Sequence, residues 1–311
     1  MLKTIDIISA GEILIDFIGN ELNVGISNIK DYHKHLGGSP TNLAINGARL
    51  GLKTTLIASC GKDGFGDFMV EKLKENNVDT RFLKQKEEMP TSVIFVSKST
   101  DTPEFIAYRN SDYQITHDQI SDELLNNARV FHTTCFGLSK NPARDTILDA
   151  AGRAAKKGLT ISIDFNFSDK IWPNRKEAED VLKKYLSKKP LVKISEDDCF
   201  RFFGEVKSDN EILEYFHSAG AATICYTKGK NGVVVSDTTT GMYSQNALHI
   251  PEVKDTTGAG DAFWTGFLYA YLHYKKLQDC VAFAQQMAGI KLQRIGGLPI
   301  NIDATKMLAA L

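Results

Sequence analysis

Short apolar runs separated by polar turns set the rhythm of this chain. Ile5-Asp6-Ile7-Ile8-Ser9-Ala10-Gly11 reads as a buried strand closed by glycine, and Glu12-Ile13-Leu14-Ile15-Asp16-Phe17-Ile18 stays extended with an acid near its far end. Residues 43–51 show a small-residue helical pattern that stops at glycine. Residues 54–60 read as a strand and 68–74 as a helix entered through a glycine turn. The runs 92–96 and 104–109 flank the polar segment Ser99-Thr100-Asp101-Thr102-Pro103 and predict a hairpin standing apart from the helices, a candidate lid. From Val130 onward, strands at 130–133, 160–164 and 191–194 alternate with helices at 143–157 and 177–186. That alternation marks βαβ units and a parallel sheet, with ligands beyond the carboxyl ends of its strands. Asp164, Asn166, Ser195, Asp198, Thr227 and Gly229 fall at those ends. Residues 223–235 read as strand, glycine turn, strand. An apolar helix from Ala262 to Leu272, a second at 281–292 and a short one at 304–311 complete the pattern.

Composition narrows this. At 311 residues the chain can bury one large core, so a single α/β domain over 1–311 is expected, with lid strands from roughly 12–36 and 90–112. A net charge of −1 gives no general attraction to nucleic acid or to an anionic membrane surface, so the expected partner is a small molecule. Cys60, Cys135, Cys199, Cys225 and Cys280 are scattered without a CxxC pair, which argues against a disulfide framework and a zinc site. The first residues lack a signal peptide's apolar region, and no run approaches the roughly 18 apolar residues of a membrane span. A cytoplasmic enzyme fits.

The candidate chemistry centres on Asp255-Thr256-Thr257-Gly258-Ala259-Gly260-Asp261, which runs straight into the apolar helix. Amides in the first turn of a helix lack intrahelical partners and carry partial positive charge, so a glycine-rich entry is an anion site. Asp261 then sets a carboxylate beside bound negative charge, an arrangement suited to taking a proton from an incoming hydroxyl during phosphoryl transfer. A capping box with glycines for close packing is the plainer reading of such a stretch. Asp16 could equally be a turn residue, Asn42 a first-turn helix residue rather than a sugar ligand, and Arg109 an exposed strand end. The glycines at 61–66 are spaced GxxGxG, which supports a structural turn rather than a dinucleotide fingerprint. The Thr227–Gly232 turn lacks P-loop spacing, so any nucleotide is held otherwise.

Taken together, GEILIDF, GGSPTN, the hairpin, TKGKNG and DTTGAGD occur in an order that resembles the ribokinase-like (pfkB) carbohydrate kinases nearly end to end. The resemblance implies a ribokinase-like three-layer α/β sandwich and an ATP- and Mg²⁺-dependent sugar kinase, most like bacterial fructokinases. Alternatives in order are 2-keto-3-deoxygluconate kinase, then ribokinase or nucleoside kinase; from another class, a sugar or nucleotide sensor without turnover. By resemblance, Asp261 is the base, and the amides of Gly258, Ala259 and Gly260 receive charge developing on the phosphoryl group. Asp16, Gly38, Asn42 and Arg109 grip the sugar, and the 61–66 segment lines its pocket. Ser195, Thr227, Gly229 and Gly232 join Gly258 and Gly260 at the ATP phosphates, and Gln285 flanks adenine. Asp198 supports magnesium. Asp255 and Thr257, with carbonyls from 294–297, resemble a monovalent-cation site that would take K⁺. Paired lids would make a homodimer. Two departures stand out. The family's Asn-x-x-Glu appears as Ser195-Glu196-Asp197-Asp198, and its Asp-x-Asn-x-Arg as Asp164-Phe165-Asn166-Phe167-Ser168, which removes a cation expected near phosphate.

Overall fold

The computed structural model describes residues 3–99 and 104–311; the expected hairpin turn, apart from Ser99, lies outside them. In chain order the strands are β1 (Ile5–Ala10), β2 (Leu14–Leu22), β3 (Tyr32–Gly37), β4 (Thr54–Gly61), β5 (Leu83–Lys86), β6 (Val93–Lys98), β7 (Phe105–Tyr108), β8 (Ala128–Thr134), β9 (Thr160–Asp164), β10 (Leu191–Ser195), β11 (Thr223–Thr227), β12 (Val233–Asp237) and β13 (Gly241–Gln245). The helices are α1 (Ser39–Arg49), α2 (Gly64–Glu75), α3 (Asp122–Asn126), α4 (Ala143–Lys156), α5 (Arg175–Leu186), α6 (Glu196–Phe203), α7 (Asp209–Ser218), α8 (Ala259–Leu272), α9 (Leu277–Leu292) and α10 (Ala304–Ala309).

The main sheet runs β13-β12-β11-β10-β9-β8-β1-β4-β5. Its pairings are parallel except those of β12 and β13. Side-chain alternation sends neighbours to opposite faces. Ile8 packs into the cluster that holds α4, α5 and α7, while Ile7 joins the cluster of α8 and α9, and both are fully buried. Apolar almost all round, α8 is buried almost all round as well. Its close approach to α9 depends on Gly266, where a Cβ would lie 2.7 Å from Met287 Cγ and 3.0 Å from Ala284 Cα.

The second sheet, β3-β2-β6-β7, grows out of the first because β2 follows β1 after three residues. Stacked Phe17 and Phe95, centroids 5.0 Å apart, with Tyr32 and Tyr108 edge-on to Phe95, knit its strands together.

Helices α1, α2, α8 and α9 begin three or four residues earlier than their apolar patterns predict. Helix α1 starts at Ser39 because Pro40, which has no N–H to leave unpaired, suits a first turn. Helix α2 starts at Gly64 because Asp63 caps the amides of Phe65 and Gly66. The five cysteines are free and buried. Among the described residues no helix is long and apolar enough to cross a membrane.

Candidate active site

Helix α8 opens at Gly258, whose φ of 76° is a left-handed conformation that glycine adopts without penalty. No side chain caps this start. The amide of Ala259 donates to the Thr256 carbonyl at 3.1 Å. Of the three amides expected to meet phosphate, Ala259's is therefore engaged in the turn itself.

Asp261, in the first turn, has both carboxylate oxygens occupied by α1. Ser39 Oγ donates to Oδ1 at 2.6 Å and Asn42 Nδ2 to Oδ2 at 2.8 Å. Burial raises the Asp261 carboxyl above its ordinary value, opposed by Ser39, Asn42 and the charge of Lys193. Asp16 comes in from β2 of the small sheet. Burial, with the nearby charge of Asp261, pushes it up to about 7, and among the described residues no donor bonds to its carboxylate. Room for it exists because residue 37 is glycine: a Cβ there would lie 2.2 Å from Asp16 Oδ2. Gly38, with φ of 102°, presses against the Glu12 carbonyl. Glu12 Oε1 accepts the Ser39 amide at 3.2 Å and Oε2 the Thr134 hydroxyl at 2.7 Å, fixing the end of α1 that presents Ser39.

Beneath the α8 start lies a cation that the sequence did not announce. Lys193, in β10, puts Nζ 2.9 Å from where a Cβ on Gly260 would stand. It donates to both oxygens of Asp164, at 3.0 and 3.2 Å, with both partners buried. Burial alone would lower the lysine's pKa, but Asp164, Asp198 and Asp261 more than offset it and keep the ammonium charged. Lys193 stands near the Gly260 end of the helix opening and, from outside the 164–168 motif, brings to its Asp164 a positive charge that Ser168 does not supply.

The other expected residues divide. Ser195 and Asp198 form a capping box at the start of α6, and Asp198 Oδ1 also accepts from Arg201 at 2.8 Å. Thr227 donates to the Ile194 carbonyl at 3.1 Å, and Gly229 and Gly232 shape the β11–β12 turn with φ of 52° and 91°. Gln285 holds the Asn246 carbonyl at 3.0 Å, its own oxygen buried without a partner. Arg109 is no exposed strand end. Its guanidinium grips Asp112 through Nε and Nη2, donates to Ser139 and lies 4.0 Å from the Phe136 ring centroid. Asp63 of the 61–66 segment caps α2 and binds Thr91, as a structural turn would. A concavity of about 1070 Å³ sits among Lys53, Lys74, Arg81 and Glu123 and contains none of the site residues named above.

A family model described as pfkB family carbohydrate kinase matches residues 4–303. This chain belongs to that family. It is a carbohydrate kinase, a phosphotransferase acting on an alcohol group, with a ribokinase-like α/β fold. An ATP-dependent 6-phosphofructokinase of Thermoanaerobacterium thermosaccharolyticum is 32% identical over 98% of this chain and 94% of that protein. The solved structure of a Halothermothrix orenii fructokinase is 32% identical, covers 94% of this chain and 100% of its own, and superposes with a TM-score of 0.81. A Pyrococcus horikoshii sugar kinase in complex with ATP is 26% identical, covers 97% and 99%, and has a TM-score of 0.83.

The bonds these residues make suit some of the groups the family implies and not others. The open α8 amides, the glycines of the β11–β12 turn and Lys193 suit a polyphosphate. Among the described residues no group of three or more His, Cys, Asp or Glu side chains is placed to hold a metal ion. Magnesium, which binds through few carboxylates plus substrate phosphates, fits as an ion carried on the nucleotide, with Asp164 and Asp198, whose charges both act on Lys193, as acids the site could offer it. The K⁺ site does not fit. Lys291 Nζ occupies the oxygens expected to hold it, donating to Asp255 Oδ2, the Asp255 carbonyl and the Arg294 carbonyl.

Proposed function

We propose that this kinase transfers the γ-phosphoryl group of MgATP to a hydroxyl of fructose. The observation that carries the reading is Asp261: a carboxylate in the first turn of an uncapped, glycine-opened helix, with Lys193 beneath and Asp16 beside it. A sugar hydroxyl entering from the lid side displaces Ser39 or Asn42 from Asp261, which takes its proton as the oxygen attacks phosphorus. The amides of Gly258 and Gly260, with the Lys193 ammonium, receive the charge gathering on the transferred group. Magnesium, when bound with the nucleotide, screens the phosphate charges. Asp16, Gly38 and Asn42 orient the sugar, and Ser195, Thr227, Gly229, Gly232 and Gln285 frame the nucleotide. The small sheet closes over the acceptor and keeps out water, which competes as an acceptor.

A second acceptor, fructose 6-phosphate, is favoured by one observation. A pocket of about 320 Å³ gathers two cations, Lys140 and Lys170, beside Ala107, Tyr108 and Arg109, the last already paired with Asp112. The 6-phosphofructokinase relative acts on that class of substrate by name.

Initial rates with MgATP against fructose, fructose 6-phosphate, 2-keto-3-deoxygluconate, ribose and a nucleoside decide between these readings. Fructose is expected to give the highest kcat/KM. A higher value with fructose 6-phosphate reverses the two readings, one with the keto-deoxy acid overturns both, and no turnover with any acceptor returns the chain to a binding role.

A further inference from the structure

Lys291 lies one residue before the end of α9 with its side chain 2% exposed. Its Nζ is 2.6 Å from Asp255 Oδ2, 3.0 Å from the Asp255 carbonyl and 3.3 Å from the Arg294 carbonyl. Three donors thus meet three oxygens, one charged and two from the backbone, drawn from two separate loops. This is the mixture of a carboxylate and peptide carbonyls that a hard monovalent metal ion would collect. An ammonium supplies the same single charge from a side chain that cannot diffuse away, and it sits at the negative end of the α9 dipole.

What the ammonium holds is the loop that leads into the anion hole. Asp255 Oδ1 accepts the Thr257 amide at 2.9 Å, and the Lys254 amide reaches the Leu292 carbonyl at 2.8 Å. Gly258 follows directly, and a Cβ on it would stand 3.9 Å from Lys291 Cε. The lysine stem therefore runs under the turn whose amides face the phosphate. A second cation would meet both the ammonium's charge and oxygens already bonded.

We propose that Lys291 is a built-in replacement for a monovalent metal ion, a positioning residue that shapes the Asp255–Gly258 turn so that phosphate binds without added potassium. The inference rests on the kinase reading of the site. It differs from a merely structural ion pair in one respect: an emptied site should accept an ion from solution.

The test compares wild type and Lys291→Met in potassium chloride and in tetramethylammonium chloride at equal ionic strength. Calorimetry measures the affinity for the magnesium complex of a non-hydrolysable ATP analogue, and a melting curve gives the midpoint of the ligand-free protein. Wild type is expected to show the same affinity and midpoint in both salts. Lys291→Met binds about tenfold more weakly in tetramethylammonium, a usual size for coupling between two sites, and potassium restores most of the loss and raises the midpoint. A wild type whose affinity or midpoint rises in potassium overturns the proposal, as does a variant equally weakened in both salts. Should Lys291→Met not fold, Lys291→Ala, which leaves more room for the ion, takes its place in both measurements with the same expected and overturning results. Failure of wild type to bind the analogue in either salt counts against the kinase reading, while the melting comparison still decides the lysine.

Discussion

Asp16 and Asp261 lie close enough for the charge on one to raise the pKa of the other, so their protons belong to the pair. The base must be ionised to accept a proton, and activity therefore falls as pH falls. Burial raises Asp261, so the acid limb of kcat/KM is expected above the ordinary aspartate value of 3.8, and Asp16→Asn, by removing a like charge, moves it lower. A limb at the same pH in both proteins contradicts the pairing. Glu12, pushed by burial up to about 8, makes a prediction about stability. A carboxyl raised in the folded state keeps a proton that the unfolded chain has lost, so its contribution is complete below the ordinary glutamate value of 4.5 and fades as pH rises to about 8. Urea unfolding at pH 5 and pH 8 should show Glu12→Gln losing less stability over that interval than wild type, by at least about 1 kcal/mol. Equal losses would place the titration elsewhere. Lys193→Met should lower kcat by about 10²–10³, the usual loss of a preorganised charge at a reacting group. Because it leaves Asp164 buried without its cation, Asp164→Asn/Lys193→Met is the fairer comparison, and kcat restored in that double variant would remove Lys193 from the chemistry.

Among the elements, α8 has the most exacting position, since the same helix carries Asp261 and packs its length against α9. Gly266→Ala would drive a methyl into Met287 and the Ala284 backbone, and overpacking of this kind costs about 1–3 kcal/mol. Denaturant unfolding should register that loss, with kcat falling because the helix start shifts; an unchanged unfolding midpoint would mean that α9 yields freely. The small sheet, which we propose closes as a lid, is held by aromatic contacts between its strands and by packing of β2 and β3 against α1 and α2. Amide exchange in β6 and β7 should slow when acceptor and nucleotide are both bound, and equal protection with and without them counts against closure.

Across the molecule, the βαβ rhythm was legible because buried parallel strands read as short apolar runs, and nearly every central strand was found from that signal. The edge strands β5 and β13 were not, because Leu83-Lys84-Gln85-Lys86 and Gly241-Met242-Tyr243-Ser244-Gln245 pair on a sheet rim and need no continuous apolar face. Helices α6 and α7 escaped for a related reason: acidic first turns and capping boxes announce them more strongly than their short apolar stripes do. In the site, the glycine-rich string pointed to Asp261 through local chemistry alone. Ser39, Lys193 and Lys291 acquire meaning only when the fold brings residues far apart in sequence together, as with Ser39 and Asp261, 222 positions apart. A lysine inside an apolar strand run, as in Leu191-Val192-Lys193-Ile194, was the available signal, since an unpaired buried lysine would be costly. The most direct test of the account is Asp261→Asn, measured for turnover and for affinity toward the magnesium complex of a non-hydrolysable ATP analogue. Loss of a general base should lower kcat by about 10²–10⁴ while affinity stays within a few fold. Turnover close to that of wild type would remove Asp261 from the reaction.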